Sequence, residues 1–269
     1  MSFSVLMSLY DGEKNNFLNA CLQSLWSQTL VPDQIVIVYD GPIKKDLNDV
    51  VEKWSHKLNI TKVKLDTCSG LGNALNTGLK FCEHELICRM DTDDVCRTDR
   101  FEKIIKLLES DIELILVGSY VAEFDSEPLS YHAMRTVPQN HYDILKYAKR
   151  RNPFNHMSVA FRKTNIISAG GYKNEFLYED YALWVRVLSS GWKTQNIPDY
   201  LVFARVGNNM EVKRGGTKYA ISEIKAQYGF KKIGFITWLE MCTNILIRVP
   251  VRLIPNWLRR MVYRNLLRR

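Results

Sequence analysis

The chain has 269 residues, of which 46% are hydrophobic, so it is long enough for one α/β domain with a well-filled core. The formal net charge is +8, but residues 241–269 hold seven arginines and no acidic residue, which leaves about +1 for the first 240 residues. Six scattered cysteines without a C-x-x-C pair argue against a disulfide scaffold or a zinc site, and we expect a cytosolic protein without a signal peptide or a transmembrane helix.

Predicted strands and helices alternate along the first 120 residues. Short apolar runs predict strands at 4–8, 34–39, 60–65, 86–90 and 114–118. Apolar residues at helical spacing predict a first helix with Asn15 or Asn16 as its N-cap, and further helices at 46–58, 70–81 and 101–108. This alternation predicts a Rossmann-like, doubly wound mixed sheet.

The pattern is looser after residue 120. Residues 125–157 are polar and irregular, and we interpret them as the part of the chain that shapes a second binding site. A short strand is predicted near 159–161, and an apolar helical stripe follows Glu179–Asp180 and ends at Gly191.

Three carboxylates, those of Asp91, Asp93 and Asp94, follow the predicted strand at 86–90. Such a cluster is unfavourable unless a positive charge sits on it, and a hard divalent cation held by oxygen ligands is the usual solution. Mg²⁺ and Mn²⁺ take one or two protein carboxylates and leave other positions to water and phosphate oxygens. The stretch therefore indicates a metal site that receives a diphosphate, and it fits a solvated acidic loop that caps the next helix equally well.

Two further polar groups, Ser8 to Tyr10 and Asp40, lie at the predicted carboxyl ends of strands. Ligands bind at this edge in doubly wound sheets, so their convergence with the carboxylates favours a binding site, although Asp40 alone also fits a turn. Gly70 and Gly72 begin a G-x-G pattern, but Leu75 stands where a dinucleotide fingerprint needs its third glycine.

Other polar residues allow two interpretations each. Glu179 and Asp180 lie in the first turn of a predicted helix, where acidic residues complement the helix dipole or serve as a general base. A histidine and several basic residues would either clamp phosphates or be structural and solvated; they are His156, Arg150, Arg151, Arg205, Lys213 and Arg214.

The C-terminal segment is amphipathic and basic. Five apolar residues share one predicted helical face, namely Trp257, Leu258, Met261, Val262 and Leu266, and four arginines lie mostly on the other, namely Arg259, Arg260, Arg264 and Arg268. This composition is typical of a helix that lies on an anionic bilayer. Binding to nucleic acid is a weaker interpretation, because the apolar content exceeds what phosphate contacts need.

Taken in order, five blocks resemble inverting glycosyltransferases of family 2 with the GT-A fold: 4–10, 38–41, 70–76, 90–94 and 179–184. The resemblance covers roughly residues 3–215. Three stretches, 89–94, 151–157 and 205–207, are similar to the amylovoran, capsule and O-antigen branch of that family.

The resemblance implies a role for each matching position. Asp180, with Glu179 as second choice, would be the catalytic base, and Asp93 with Asp91 would hold Mn²⁺ or Mg²⁺. The nucleotide-sugar would contact Ser8, Tyr10, Asp40, Gly72, Asn76, Arg89, Asp91 and Thr92. The acceptor diphosphate would contact Arg151, His156, Arg205 and Arg214.

The same resemblance implies transfer of a hexose, galactose or glucose, from a UDP-sugar to N-acetylglucosamine on undecaprenyl diphosphate. Residues 1–225 would form the catalytic domain, and residues 226–269 would hold it peripherally at the cytoplasmic face of the bacterial inner membrane, with no nucleic-acid partner. A polyprenyl-phosphate sugar synthase and a non-catalytic UDP-sugar binding module are the alternatives. The chain departs from the family pattern at Tyr39 and Gly207, and it lacks the Q-x-x-R-W block of processive synthases, which implies one sugar per encounter.

Overall fold

The structure is a computed structural model that describes residues 1–206 and 215–255, and a nine-stranded mixed sheet forms its centre. The strands are β1 (Phe3–Leu9), β2 (Gln34–Tyr39), β3 (Ile60–Lys64), β4 (Leu86–Arg89), β5 (Val95–Cys96), β6 (Leu114–Phe124), β7 (Ala133–Arg135), β8 (Ala160–Arg162) and β9 (Lys193–Arg205).

Parallel strands form one half of the sheet, in the order β3-β2-β1-β4. β8 then runs antiparallel to both β4 and β6, β9 runs parallel to β6, and β5 lies at the edge antiparallel to β9. β7 pairs with β6. Every residue of β2 is buried, as expected for a parallel strand that is covered on both faces.

Helices cover both faces of the sheet, so the doubly wound prediction is confirmed. They are α1 (Asn15–Trp26), α2 (Lys45–Ser55), α3 (Leu71–Leu79), α4 (Arg100–Ser110), α5 (His141–Ala148), α6 (Lys163–Ser168), α7 (Glu179–Ser189), α8 (Thr217–Lys232) and α9 (Trp238–Leu253). One apolar cluster joins the sheet to α1, α2 and α4, and a second joins its other face to α3, α5, α6 and α7.

Two details of the predicted elements are wrong. The N-cap of α1 is Lys14, and Asn15 and Asn16 lie inside the first turn without a capping side chain. The region 125–157, expected to be irregular, contains α5, whose N-cap Asn140 accepts a hydrogen bond of 3.0 Å from the Asp143 amide.

The C-terminal helices are part of the fold. A third apolar cluster packs α7 against α8 and α9 through Tyr181, Phe230 and Met241. The predicted boundary between residues 225 and 226 therefore falls inside the continuous helix α8, where buried side chains hold it to α7. Within the described ranges, no helix is both long and apolar enough to cross a membrane. The predicted amphipathic tail, from Trp257 to Arg268, lies outside the described residues.

Candidate active site

The carboxyl ends of three neighbouring parallel strands meet at one edge of the sheet. β1 ends at Leu9 between β2, which is followed by Asp40, and β4, which is followed by the loop 90–94. Ser8 is half-buried at this edge and Tyr10 is exposed beside it. The predicted convergence of polar groups at this edge is therefore present in the structure.

The loop after β4 gathers three carboxylates in a small volume. One oxygen each of Asp91, Asp93 and Asp94 lies within 4.8 Å of the others. Asp94 is buried and accepts a hydrogen bond of 2.8 Å from the Arg205 amide. Oxygen ligands at this spacing suit a hard divalent cation.

Burial and mutual repulsion disfavour the ionised form of these groups. Burial, with the charges of Asp91 and Glu13, raises the pKa of Asp93 to about 7. Burial, with the charges of Asp91 and Asp93, raises the pKa of Asp94 well above its usual value. The loop therefore holds more negative charge than its own surroundings neutralise.

A buried arginine supplies part of the missing positive charge. Arg89, the last residue of β4, is 1% exposed and forms an ion pair with Asp91. Its Nε and Nη1 atoms are buried without a hydrogen-bond partner among the described residues. Such donors are costly to leave unpaired, so they are available to an anionic or hydroxyl-bearing ligand.

Glu13 is a residue that sequence reasoning missed. Its Oε2 accepts a hydrogen bond of 2.9 Å from the Thr92 hydroxyl, and Thr92 itself is 4% exposed. The charges of Glu13 and Asp93 raise the pKa of Tyr10, after burial as the larger cause. No motif flagged Glu13, because it lies in the loop after β1, almost 80 positions before the carboxylates.

Arg205 has a different place from the predicted one. Its guanidinium stacks on Phe17, at 3.9 Å from the ring centroid, and on Phe124, at 4.5 Å. Its Nε donates a hydrogen bond of 3.1 Å to the Asp93 carbonyl, and its Nη1 donates one of 3.1 Å to the Asp125 carbonyl. Arg205 thus supports the carboxylate loop through its backbone. This contact differs from the predicted contact with an acceptor diphosphate.

The start of α7 brings a second pair of carboxylates to the site. Asp180 Oδ2 accepts a hydrogen bond of 2.6 Å from Asn152 Nδ2, and Oδ1 accepts one of 2.6 Å from the Tyr181 amide. Burial raises the pKa of Asp180, and these two hydrogen bonds oppose the rise. The positive charges of Arg135 and Arg89 act in the same direction as the hydrogen bonds.

Glu179 is the first residue of α7 and directly precedes Asp180. Burial and then the charge of Asp180 raise its pKa to about 7. The charge of Arg89 lowers this pKa and that of Asp91 raises it, so Glu179 is within electrostatic reach of both the buried arginine and the carboxylate loop. The side chains of Glu179 and Asp180 are both partly exposed.

Close packing fixes α3 against the start of α7. A Cβ on Gly72 would lie 2.6 Å from the Lys173 carbonyl and 3.1 Å from Glu179 Cβ. Gly171 has φ +60 and leaves room only for the Asn76 side chain. Gly72 and Asn76 therefore lie in close contact with the segment that leads into α7, and their predicted contact with a nucleotide-sugar stays a prediction.

Asp40 organises the loop before α3. Its Oδ1 accepts hydrogen bonds from the Ser69 amide at 2.6 Å and the Ser69 hydroxyl at 3.0 Å, and its Oδ2 accepts one from the Gly70 amide at 3.0 Å. Asp40 is 6% exposed. Its predicted contact with the nucleotide is untested.

The predicted acceptor-diphosphate residues that the structure describes have different environments. His156 Nε2 lies 3.0 Å from the Tyr172 hydroxyl, and burial followed by the charge of Arg89 lowers its pKa well below the usual value. The imidazole is therefore neutral and packs on Tyr172 and Trp184. Arg151 is exposed next to Asn152, and Arg214 lies outside the described residues.

A carboxylate cluster at a spacing that suits a divalent cation, with a buried arginine and a second carboxylate pair within electrostatic reach, is typical of enzymes that process metal-bound diphosphate substrates. The model of Glycosyl transferase family 2 matches residues 4–171, and the chain belongs to this family.

Relatives of nearly full length agree with this assignment. UDP-Gal:α-D-GlcNAc-diphosphoundecaprenol β-1,3-galactosyltransferase of Escherichia coli is 43% identical over 267 residues, which are 99% of this chain and 97% of that protein. Amylovoran biosynthesis glycosyltransferase AmsE of Erwinia amylovora is 44% identical over 256 residues, 94% of each chain.

A solved mannosyltransferase from Pyrobaculum calidifontis, in complex with GDP-Man and Mn²⁺, superposes with a TM-score of 0.67 at 17% identity. The match covers 98% of this chain and 75% of that one. The predicted family, fold and enzyme class are thereby confirmed.

Proposed function

We propose that this enzyme moves a hexose, galactose or glucose, from a UDP-sugar to N-acetylglucosamine on undecaprenyl diphosphate, with inversion at the anomeric carbon. The donor and acceptor classes are those in the name of the E. coli relative. The observation that carries the proposal is the gathering of three carboxylates after β4, with Arg89 paired to Asp91 and its charge also acting on Glu179 and Asp180.

The carboxylate loop fits a divalent cation. Asp93 and Asp91 would hold it, because their oxygens and that of Asp94 lie within 4.8 Å of one another, and because burial and then the charges of Asp91 and Glu13 raise the pKa of Asp93. When bound, Mn²⁺ or Mg²⁺ would offset the negative charge that develops on the departing UDP.

The protein's own residues supply the remaining steps. Asp180 takes the proton of the acceptor hydroxyl, while Asn152 and the Tyr181 amide hold its carboxylate in one orientation. The hydroxyl oxygen forms a bond to the anomeric carbon as the bond from that carbon to the UDP oxygen breaks, so a single displacement inverts the centre. The unpaired donors of Arg89 hold the sugar-diphosphate, and exposed Arg151 contacts the acceptor diphosphate at the rim.

The C-terminal helices provide a surface for the membrane that carries such an acceptor. α8 and α9 expose a set of large apolar side chains: Ile221, Ile224, Tyr228, Trp238, Leu239, Leu246, Ile247 and Leu253. Exposed lysines lie among them, at Lys218, Lys225 and Lys232. An apolar face with basic residues binds anionic bilayers peripherally, and the basic tail would add to it at the cytoplasmic face of the inner membrane.

Release of UDP by the purified protein tests this proposal. UDP-galactose, UDP-glucose and UDP-N-acetylglucosamine are offered in turn with Mn²⁺, each with and without a synthetic lipid-diphosphate-N-acetylglucosamine. We expect release that requires both the metal and this acceptor, with one hexose donor preferred. Release that requires a bare lipid phosphate would instead identify a polyprenyl-phosphate sugar synthase, and no release with any pair would contradict the proposal.

A further inference from the structure

Glu223 on α8 is a charged side chain in the interior, with 0% exposure. Its Oε1 lies 3.2 Å from Arg248 Nε, and its Oε2 lies 3.4 Å from Arg252 Nη2. Oε2 also accepts a hydrogen bond from the Tyr178 hydroxyl. A buried carboxylate is stable only when it is paired and hydrogen-bonded in this way, so these contacts hold α7, α8 and α9 together.

The first branch of this network leads to the start of α7. Tyr178 is the N-cap of α7, and its hydroxyl donates a hydrogen bond to Glu223 Oε2. Asp180 follows two residues later. A movement of Tyr178 would therefore move the first turn that carries the Asp180 carboxylate.

The second branch leads to the end of α5. Arg248 Nη1 donates a hydrogen bond of 3.1 Å to the Arg150 carbonyl, and Asn244 Nδ2 donates one of 2.8 Å to the Lys149 carbonyl. The carbonyls at a helix C-terminus lack partners within the helix, so these side chains fix the exit of the chain from α5. Asn152, which holds Asp180 Oδ2, lies two residues after Arg150.

We propose that Glu223 is a positioning residue that orients Asp180 from both sides, through Tyr178 before it and through Arg248 and the 149–152 segment beside it. This inference rests on the proposed function, since it takes Asp180 to be the base. Glu223 touches neither substrate, and its effect is on the geometry of proton transfer.

Tyr178→Phe tests the first branch, because it removes only the hydroxyl that reaches Glu223. We expect kcat to fall by about tenfold or more while the KM for the UDP-sugar changes by less than about twofold, since small displacements of a catalytic group are costly and donor binding is remote. The matched control is Ser55→Ala, which removes a hydroxyl that donates a hydrogen bond of 2.9 Å to the Val51 carbonyl on α2, against the other face of the sheet. Its kcat should equal that of the wild type.

Arg248→Lys tests the second branch, because it keeps the charge near Glu223 and loses the fork that reaches Arg150. It should also lower kcat and spare the donor KM. An unchanged kcat in both variants, or a donor KM that rises as kcat falls, would overturn the proposal.

Amide hydrogen exchange separates this proposal from the proposed function. Tyr178→Phe should speed exchange in segments 148–152 and 178–182 relative to Ser55→Ala, without a change in 86–94. If the wild type transfers no sugar, the proposed function fails. The exchange rates of 148–152 and 178–182 then decide by themselves whether Glu223 holds the segments around Asp180. Equal exchange in the two variants would overturn this role.

Discussion

Asn152 Nδ2 donates a hydrogen bond of 2.6 Å to Oδ2 of Asp180, across the gap between the end of α5 and the start of α7. The Tyr181 amide occupies the other carboxylate oxygen, so both are held by donors from different parts of the chain. The orientation of the proposed base is therefore set by helix packing as well as by its own helix.

Asn152→Ala should weaken this arrangement in a way that depends on pH. The Asn152 hydrogen bond lowers the pKa of Asp180, so its loss raises that pKa. The base acts when it is deprotonated, so the acid limb of the kcat profile should move to higher pH, and kcat at neutral pH should fall roughly three- to tenfold. Profiles of the wild type and of Asn59→Ala, which removes an exposed hydrogen bond to the Asp33 carbonyl, provide the comparison.

The two carboxylates of α7 should respond differently to substitution. Asp180→Asn removes the proposed base and should lower kcat by about 10²–10⁴-fold with nearly unchanged UDP affinity. Glu179→Gln should have a smaller effect, since it leaves the proposed base and its two hydrogen bonds in place. Isothermal titration calorimetry measures the UDP affinity of each variant, and single-turnover kinetics measure its rate of sugar transfer. The opposite ranking would assign the base to Glu179.

Protons and the divalent cation should compete at Asp93. Its pKa is raised from 3.8 unfolded to about 7 folded, so the folded state binds more protons between these values and stability falls as pH rises through this range. Mn²⁺ should therefore raise Tm more at pH 7.5 than at pH 5.5. This difference between the two pH values should disappear in Asp93→Asn. A Mn²⁺-induced rise in Tm that is the same at both pH values in the wild type would refute the assignment of Asp93 as a metal ligand.

Two glycines in helices should give opposite results when replaced by alanine. Gly72→Ala places a Cβ 2.6 Å from the Lys173 carbonyl and 3.1 Å from Glu179 Cβ, so it should displace the start of α7 and lower kcat by about tenfold or more. Gly229→Ala meets no atom within 4 Å and should stabilise α8 by about 0.5–1 kcal/mol without a change in activity. Thermal unfolding and kcat of the two variants decide this prediction.

The exposed face of α9 should carry membrane affinity. Leu239 and Leu246 are 77% and 74% exposed, so Leu239→Glu and Leu246→Glu should leave Tm nearly unchanged. Each substitution should lower the affinity for anionic vesicles, measured by co-sedimentation, by roughly tenfold, because burial of a leucine side chain contributes about 1.5–3 kcal/mol. Ile112→Glu is the control, since Ile112 is 70% exposed outside the C-terminal helices. Equal vesicle binding by all three variants would place the membrane contact elsewhere.

The sheet could be predicted where strands are buried on both faces. β2 reads as an unbroken apolar β-branched run, and its observed bounds are the predicted ones. β9 was missed because its sequence is mixed and contains Pro198, which lies at an irregularity in the pairing between β6 and β9. Neighbouring strands, which no local pattern reveals, decide that such a segment is extended.

The site could be predicted where chemistry is concentrated in one stretch. The sequence alone shows that three like charges, those of Asp91, Asp93 and Asp94, lie close together and repel one another. Glu13 and Asn152, by contrast, act through single contacts with residues distant in sequence. Arg205 shows the converse: its charge suggested a phosphate contact, and its environment of two aromatic rings and loop carbonyls was not visible in the sequence.

The stereochemistry of the transferred sugar tests the central claim most directly. The enzyme is incubated with Mn²⁺, lipid-diphosphate-N-acetylglucosamine and its preferred UDP-hexose, whose anomeric configuration is α, and the product is examined by proton NMR. A single displacement assisted by Asp180 predicts one added hexose with the large H1–H2 coupling of a β-linkage. An α-linked hexose would contradict inversion by a single displacement, and unmodified acceptor would contradict the transferase itself.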